Sequence, residues 1–499
     1  MEARIVSSLL PPAAFLLPII GAVAIIPLTK GAERLRRIGL AVVCVLNVVA
    51  AASFVPGVLA GNVYETYILQ ITPKIWMYFR VDAMGALFGL TAAVLWLIAL
   101  VYSFGYMEGE HRPGRYYAFF ILALAWTMGV AYAGNLLTFL IFYEMFSILT
   151  YPLIVHEETP EAIAAGTKYI VYILVGGSLV LLAIVFTFFL AGNQALTPAG
   201  LLTLEMGRKN LIAVFWCFIA GFGVKAALVP LHGWVPDAHP AAPAPFSAVL
   251  SGVMVAAGSF GIMRVVYSVF GVALLRELDV MRWLAYIAGF TVVFAALLAV
   301  NQENLKRRLA YSTISQMGYA ALGVALLTEQ ATTGALVHIT NHAFMKGALF
   351  LCAGLLIKRA GIRNVRDISG IAQKMPITSA AFAIAALSMI GTPPLSGFVS
   401  KWYLGLGMLD ADQPLYLAVL LGGALLAAVY LLPIVYAAYF KPPSAAVLAL
   451  PERSGLEAPL TMLVPLVAAI VLTIALGLVS SVQGMPLSLA RLAAAIAFK

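Results

Sequence analysis

Long apolar runs separated by short polar stretches dominate this chain of 499 residues. We count about 14 runs, most of them about 20 residues long, which is the length that an α-helix needs to cross a bilayer. They cover residues 11–29, 37–57, 82–104, 115–133, 136–155, 163–191, 210–230, 246–270, 283–300, 309–327, 331–357, 377–408, 414–440 and 459–481. The pattern predicts an all-α polytopic membrane protein in which residues 1–499 form a single transmembrane domain.

The composition agrees with this prediction. Hydrophobic residues make up 63% of the chain and charged residues 10%, whereas soluble proteins carry roughly 25% charged residues. The net charge of +9 could indicate nucleic-acid binding, but the basic residues fall in short loops between the runs, where the positive-inside rule places them. We therefore expect a lipid bilayer around the chain and no nucleic-acid partner.

The distribution of lysine and arginine over the loops predicts the orientation of the chain. Odd-numbered loops carry most of these residues: Lys30, Arg34, Arg36, Arg37, Lys306, Arg307, Arg308, Lys358, Arg359, Arg363, Arg366 and Lys374. Even-numbered loops carry fewer: Lys74, Arg80, Arg208, Lys209, Arg276 and Arg282. Because basic loops stay in the cytoplasm, we expect a multi-pass protein of the cell (inner) membrane with both termini on the outer side.

An internal repeat is faintly visible in the order of the runs. Residues 115–270 and 283–440 each hold five runs, and the second set would enter the membrane from the opposite side, as an inverted repeat. The fourth run of each set is interrupted, by Pro230 in one and by Pro393 and Pro394 in the other. Because proline lacks a backbone N–H and breaks helices, each repeat is predicted to contain a discontinuous helix.

Ionisable residues inside the apolar runs are the first candidates for function. Glu144 lies in the middle of the fifth run, and Lys225 lies near the break in the seventh. A charge at membrane depth costs at least about 2.5 kcal/mol, so we expect the two side chains to face each other and offset part of that cost. The alternatives are a protonated or incidentally paired Glu144 and a Lys225 that extends to the membrane surface.

A polar stripe is predicted on the eleventh run. His338, His342 and Lys346 are spaced by four residues, so successive members turn by only about 40° and share one helix face about 12 Å long. Histidine titrates near neutral pH, which suits a proton relay. The alternatives are a structural stripe and a metal site, although no third metal ligand is evident.

Five further residues complete the set of candidates. Lys401 follows the second break and leads toward the outside, where it could instead extend to the surface. Lys306 could equally serve the positive-inside pattern. Near the first break, His232, Asp237 and His239 could line the entry of a half-channel or cap helix ends.

Cysteine usage and motifs argue against a cofactor. Cys44, Cys217 and Cys352 all lie within apolar runs and show no CxxC spacing, which indicates neither a disulfide framework nor a metal cage. No nucleotide-binding loop or redox-centre motif occurs. We expect no cofactor and no metal in this chain, so that energy would come from partner subunits.

Several stretches together resemble one known family. They are FYEMFSILTYPLIVH, GVKAALVPLHGWVPDAHPAAPAPFSAVLSG, NLKRRLAYSTISQMGY, HITNHAFMKGALF and IGTPPLSGFVSKW. These stretches resemble the antiporter-like subunits shared by respiratory complex I, membrane-bound group 4 hydrogenases and Mrp-type sodium/proton antiporters. The resemblance implies a proton-translocating membrane subunit of a multi-subunit redox-driven pump or Mrp-type antiporter. Its partners would include other membrane subunits, among them further antiporter-like ones, and its ions would be H+ with Na+ left open.

The resemblance also implies residue roles. Proton transfer maps to Glu144, Lys225, His338, His342 and Lys401. One departure concerns the eighth run, where many relatives carry a lysine or histidine. Here the corresponding stretch offers Ser251, Ala256 and Ala257, and the run's one ionisable residue is Arg264, which we expect to anchor at the membrane surface.

Two functions of other classes compete with this one. A stand-alone secondary solute carrier with inverted repeats would work without partners and show a substrate pocket at the breaks. An inert scaffold is disfavoured because it has no use for a buried lysine and glutamate. Partners that form a hydrogenase, a quinone reductase or a sodium antiporter are all compatible with the sequence.

Overall fold

A computed structural model describes residues 4–28, 31–73, 75–192, 195–198, 200–451 and 457–499. Lys30 and Lys74, which entered the orientation argument, lie outside these residues. The first half of the described chain contains α1 Leu10–Ile20, α2 Ile26–Leu28, α3 Glu33–Leu59, α4 Ala83–Tyr106, α5 Pro113–Ala131, α6 Leu136–Ile154, α7 Pro160–Ala191, α8 Arg208–Lys225, α9 Val235–Ala241, α10 Ala244–Val249 and α11 Val255–Val265.

The second half contains α12 Val272–Leu278, α13 Met281–Val300, α14 Leu305–Ala325, α15 Glu329–Ala360, α16 Pro376–Ile390, α17 Ser396–Asp410, α18 Pro414–Phe440, α19 Ala445–Leu448, α20 Leu460–Leu478 and α21 Pro486–Ala497. Each apolar run predicted from the sequence coincides with one or more of these helices. Four short helices of the described chain, α9, α12, α19 and α21, lie outside the runs and were not predicted.

Eight helices of the described ranges are long and apolar enough to cross a membrane: α3, α4, α6, α7, the continuous stretch Ala244–Phe270, α13, α18 and α20. The protein is therefore a mostly helical, polytopic membrane protein. Helices α8, α14 and α15 are not among the eight, and they carry Lys225, Lys306 and the polar stripe predicted on the eleventh run.

A small sheet departs from the predicted all-α architecture. Strand β1 Arg4–Ser7 pairs in parallel with β2 Asn62–Thr72, which pairs antiparallel with β3 Ile75–Val81. The sheet is joined to the turn between α5 and α6, where the Tyr78 hydroxyl donates to the Gly134 carbonyl oxygen at 2.7 Å. The all-α prediction is corrected in this respect, because this segment pairs its backbone groups between strands.

The stretch Ala244–Phe270, which we call the central rod, forms the buried middle of the molecule. It joins α10 and α11 with π-helical segments at Leu250–Met254 and Val266–Phe270, and it is buried throughout. Large apolar side chains of α3, α7 and α18 are instead exposed, as expected of helices that face lipid or partner subunits. The rod therefore separates the two groups of helices that carry the candidate residues.

Candidate functional site

Two helices are interrupted where the sequence predicts it. Helix α8 ends at Lys225 and helical structure resumes at α9, while α16 ends at Ile390 and resumes at α17. Pro230, Pro393 and Pro394 lie in the two gaps and cannot donate backbone hydrogen bonds. Each gap frees backbone carbonyls that a regular helix would have used.

Lys225 is buried in a polar and aromatic cradle supplied by α6. Its ammonium donates a hydrogen bond to the Ser147 hydroxyl and lies 4.2 Å from the centre of the Tyr143 ring and 4.5 Å from that of Phe146. The faces of aromatic rings attract cations, most strongly where water is excluded. Only 1% of Lys225 is exposed, so the side chain does not extend to the surface.

Glu144 lies beside this cradle but does not complete it. Both Glu144 and Lys225 are described residues, and no ion pair joins them, although they are within electrostatic range. The Glu144 carboxyl instead rests against the backbone of Gly177 on α7, where any larger residue would collide with it. The expected direct contact between the two charges is absent because Ser147, three residues further along α6, accepts the lysine.

The α15 stripe, composed of His338, His342 and Lys346, is completely buried. The centres of the two imidazole rings are 6.0 Å apart. His338 Nδ1 lies 2.9 Å from the Ser400 hydroxyl, whereas neither ring nitrogen of His342 has a partner among the described protein atoms. The Lys346 ammonium donates to α14, to the Ser312 hydroxyl and to a backbone carbonyl.

Lys401 continues the α15 stripe toward the second break. Its ammonium donates to the carbonyl oxygens of Met389 and Ile390, both at 2.7 Å, at the end of α16. The same ammonium lies 5.3 Å from the centre of the Tyr319 ring, and that ring lies 6.0 Å from His338. Lys346, His342, His338 and Lys401 therefore form one succession of buried ionisable groups.

The central rod fills the space between Lys225 and this succession. Gly258 packs directly on the backbone of Ala226, and Gly252 packs on Ala343 of α15. The residues between these two glycines are all apolar, VMVAA. Serines flank this stretch on both sides: the Ser251 hydroxyl lies 2.6 Å from that of Thr313, and the Ser259 hydroxyl lies 3.6 Å from the sulfur of Met317. The rod thus leaves an apolar gap between Lys225 and the α15 stripe.

Arg264, at the far end of the rod, differs from its expected role. Only 3% of its side chain is exposed, and it pairs with both carboxylate oxygens of Asp82, one at 2.8 Å. Asp82 in turn caps the start of α4 by accepting from the Gly85 backbone N–H at 2.8 Å. The prediction of a surface anchor is wrong, because Arg264 is a buried tie between the rod and α4.

A cavity of about 950 Å³ opens beside the first break. Its lining includes Lys306, which is buried and donates to the Ala242 carbonyl oxygen. Asp237 of α9 also lines it and pairs with Lys168 on α7, at 2.7 Å, and with Arg307 on α14. We call these three residues the Asp237 clasp, since they join α7, α9 and α14.

The two histidines near the first break occupy different environments. His232 is half-buried, and its ring meets the edge of Phe294. His239 is fully buried, with its ring stacked on Phe350 and both nitrogens without partners among the described protein atoms. It lies within electrostatic range of Lys306 and Lys346, and so stands between the cavity and the α15 stripe.

The loop that borders the cavity carries its own charge network. Arg115 hydrogen-bonds the Glu158 carboxylate and holds the pKa of this group below its usual value. Burial and, to a smaller extent, the positive charge of Arg115 together lower the pKa of His156 to about 4. His156 is therefore neutral at physiological pH.

Few described residues are grouped in a way that suits a metal. Glu110, His111 and Glu157 bring three donor atoms within 4.8 Å of one another on partly or fully exposed loops, and Glu110 and Glu157 line the same cavity as Lys306. All three cysteines are free. The expected absence of a cofactor in this chain stays a prediction.

A helical membrane protein that buries lysines beside two interrupted helices belongs to the class of ion-translocating membrane proteins. Comparison with known proteins narrows this class. The sequence profile of the family described as "NADH:quinone oxidoreductase/Mrp antiporter, TM" matches residues 133–427. The chain belongs to this family of antiporter-like membrane subunits, as its motifs indicated.

Three similar proteins illustrate the breadth of the family. NADH-quinone oxidoreductase subunit N of Desulforudis audaxviator is 35% identical over 84% of this chain and 85% of its own. Hydrogenase-4 component B of Escherichia coli is 34% identical over 65% of this chain and 50% of its own. A chain of the membrane-bound sulfane sulfur reductase, an archaeal respiratory membrane complex, is 25% identical with a TM-score of 0.87, covering 99% of this chain and 98% of that one.

Proposed function

We propose that this protein translocates protons across the membrane as one subunit of a multi-subunit complex. The observation that carries the proposal is the succession of buried ionisable side chains from Lys346 through His342 and His338 to Lys401. Charged groups at membrane depth are expensive and persist where they serve transport. Family membership supports the same conclusion, because the relatives are named as subunits of respiratory complexes and a component of a hydrogenase.

In this proposal Glu144 and Lys225 form the coupling element on the other side of the central rod. The two groups are close, yet the lysine is bound to a neutral hydroxyl. An opposite charge stabilises a charged group much more than a hydroxyl does. Movement in a partner subunit that changed the distance between Glu144 and Lys225 would therefore change how firmly each holds its proton.

The cavity at the first break would supply protons from the cytoplasm. Lys306 and His232 belong to this side of the pathway, and His239 links the cavity to the α15 stripe. This assignment requires both termini on the outer side, the about 14 spans counted from the sequence, and inverted repeats at 115–270 and 283–440. The interruptions after α8 and α16, one in each proposed repeat, support that arrangement.

The relatives also guide the proposed assembly. The similar proteins are parts of larger membrane complexes by name, so we expect other membrane subunits as partners and the cell (inner) membrane as the location. No redox chemistry is proposed for this chain, which would receive its energy from those partners. Sodium coupling is tested by varying Na+ in the transport assay described next.

Replacing Lys225 or Glu144 with alanine tests the proposal. The assembled complex carrying either variant is reconstituted in vesicles, and proton uptake is followed with a pH-sensitive dye. We expect pumping to be abolished while the complex stays assembled, because each variant removes one member of the coupling element. Lys209→Ala is the matched control, since Lys209 lies on the same helix but is exposed. Near-normal pumping by either test variant would refute the proposed role of Glu144 and Lys225 in coupling.

A further inference from the structure

Ser147 lies on α6, and its side chain contacts the buried ammonium of Lys225. Its hydroxyl donates to the Tyr143 carbonyl oxygen at 2.7 Å, one turn earlier on α6. That bond commits the hydroxyl proton and leaves the oxygen lone pairs free. The Lys225 ammonium donates to this oxygen, so Ser147 acts as a pure acceptor for the buried cation.

Ser147 and Glu144 are neighbours on one face of α6. Residues three apart on a helix lie about 5–6 Å from each other at their Cβ atoms. The lysine side chain is long and flexible, so the Lys225 ammonium has two acceptors within its reach. In the structure it is bound to the hydroxyl, and Glu144 Oε1 has no hydrogen-bond partner among the described protein atoms.

We propose that Ser147 is a positioning residue for proton transfer, whose hydroxyl is the alternative acceptor that holds the Lys225 ammonium apart from the Glu144 carboxylate. The inference rests on the proposed function, in which the distance between those two charges controls transport. The aromatic cradle supports this held position, because the rings of Tyr143 and Phe146 attract the ammonium on the same side. Lys225 thus has an open position on Ser147 and a closed position on Glu144.

A chain of contacts connects the open position to the first break. The Tyr169 hydroxyl of α7 donates to the Ser147 carbonyl oxygen at 3.0 Å, and its ring packs on Trp234 with centres 5.1 Å apart. The Trp234 indole N–H then donates at 2.8 Å to the carbonyl oxygen of Val224, the residue before Lys225. Trp234 is therefore linked to both partners of the lysine–serine bond, to Ser147 through Tyr169 and to Lys225 through the backbone of Val224.

The Asp237 clasp holds the segment that contains Trp234. Asp237 lies three residues after Trp234, and its partner Lys168 precedes Tyr169 on α7. Movement of α9 would therefore displace Val224 and Tyr169 together, and with them the two sides of the Lys225–Ser147 bond. This arrangement gives partner subunits a mechanical route to the switch between open and closed positions.

The test compares Ser147→Thr with Ser147→Val in the assembled complex. Threonine and valine have nearly the same shape. Threonine adds one methyl group to serine and keeps the hydroxyl, whereas valine also replaces that hydroxyl with a second methyl group. We expect the Ser147→Thr variant to transport protons faster than the Ser147→Val variant. The valine variant should transport more slowly by about fivefold or more, since it leaves a buried ammonium without this acceptor. The second readout is a cryo-electron microscopy structure of each variant, in which the valine variant should show Lys225 paired with Glu144.

Equal transport by the threonine and valine variants would overturn the proposal, whether both are slow through packing or both are normal. A valine variant in which Lys225 stays apart from Glu144 would overturn it as well. Failure of the proposed function looks different. In that case Lys225→Ala would transport normally, and the structures of the serine variants would still report whether Ser147 positions the lysine.

Discussion

Replacing His342 with phenylalanine removes the middle member of the α15 stripe. Successive members are four residues apart, about 6 Å along the helix axis, so the change leaves about 12 Å between His338 and Lys346. A hydrogen bond between oxygen atoms spans about 2.8 Å, and the added 6 Å therefore requires about two more ordered water molecules. Each costs between about 0 and 2 kcal/mol to immobilise.

Taking about 1 kcal/mol for each water gives an added barrier of about 2 kcal/mol, which corresponds to a roughly 30-fold slower proton transfer. The fold should tolerate the change, because no described protein group loses a hydrogen bond from His342. The fold should also tolerate His338→Phe. The Ser400 hydroxyl loses its contact with His338 but still donates a hydrogen bond to the Gly397 carbonyl oxygen at 3.2 Å. The assay is initial proton uptake by reconstituted vesicles, normalised to assembled complex.

Combining His338→Phe with His342→Phe gives the sharpest form of this test. The double variant should lose transport more completely than either single variant, since two adjacent sites are gone. Introducing an ionisable group by Ala256→Lys should restore only part of the rate, because Ala256 is fully buried in the central rod and a larger side chain strains a packed core. If the double variant pumps at the unmodified rate, the relay does not run through α15.

Three further predictions follow from other parts of the structure. A cysteine placed at Lys499 should react with a membrane-impermeant label added from the outer side, and labelling only from the cytoplasm would invert the topology. Arg264→Met or Asp82→Asn alone should destabilise the complex by about 3 kcal/mol, because each leaves a largely buried charge uncompensated. In thermal unfolding the double variant should lose less stability than the sum of the two. Lys401→Arg should assemble but fail to transport, since arginine keeps the charge and the donors but does not deprotonate; proton uptake at the unmodified rate would show that Lys401 only binds the end of α16.

The helices and their interruptions could be predicted because each depends on residues that are close together in the sequence. Apolar runs of membrane length specify the helices, and Pro230, Pro393 and Pro394 mark the breaks whatever their surroundings. The sheet was missed because its two longer strands lie in a stretch treated as a loop between the second and third runs. A signal was present in NVYETYILQIT, which is rich in aromatic and β-branched residues and ends at Pro73.

Contacts between distant parts of the chain could not be predicted in the same way. Lys225 and Ser147 are 78 residues apart, and nothing in the spacing of either helix indicates that the hydroxyl, not the carboxylate, accepts the ammonium. Arg264 pairs with Asp82, which lies 182 residues away in the sequence. This ion pair buries a side chain that we expected at the membrane surface. The cavity beside the first break depends on five separate segments meeting, so only the folded chain reveals it.

The two lysines at the interrupted helices share an electrostatic environment that their positions in the sequence conceal. Lys225 precedes its break and Lys401 follows the other, yet Lys225 lies in the last turn of α8 and the ammonium of Lys401 returns to the last carbonyls of α16. The end of a helix carries about half a negative elementary charge, the sum of its aligned peptide dipoles. The Lys401 ammonium therefore stands at the negative pole of one half-helix, and the backbone of Lys225 forms the same pole of another. The two segments therefore share the place of a lysine relative to the electrostatic field of a helix end. A residue-by-residue alignment would put these two lysines at unrelated positions.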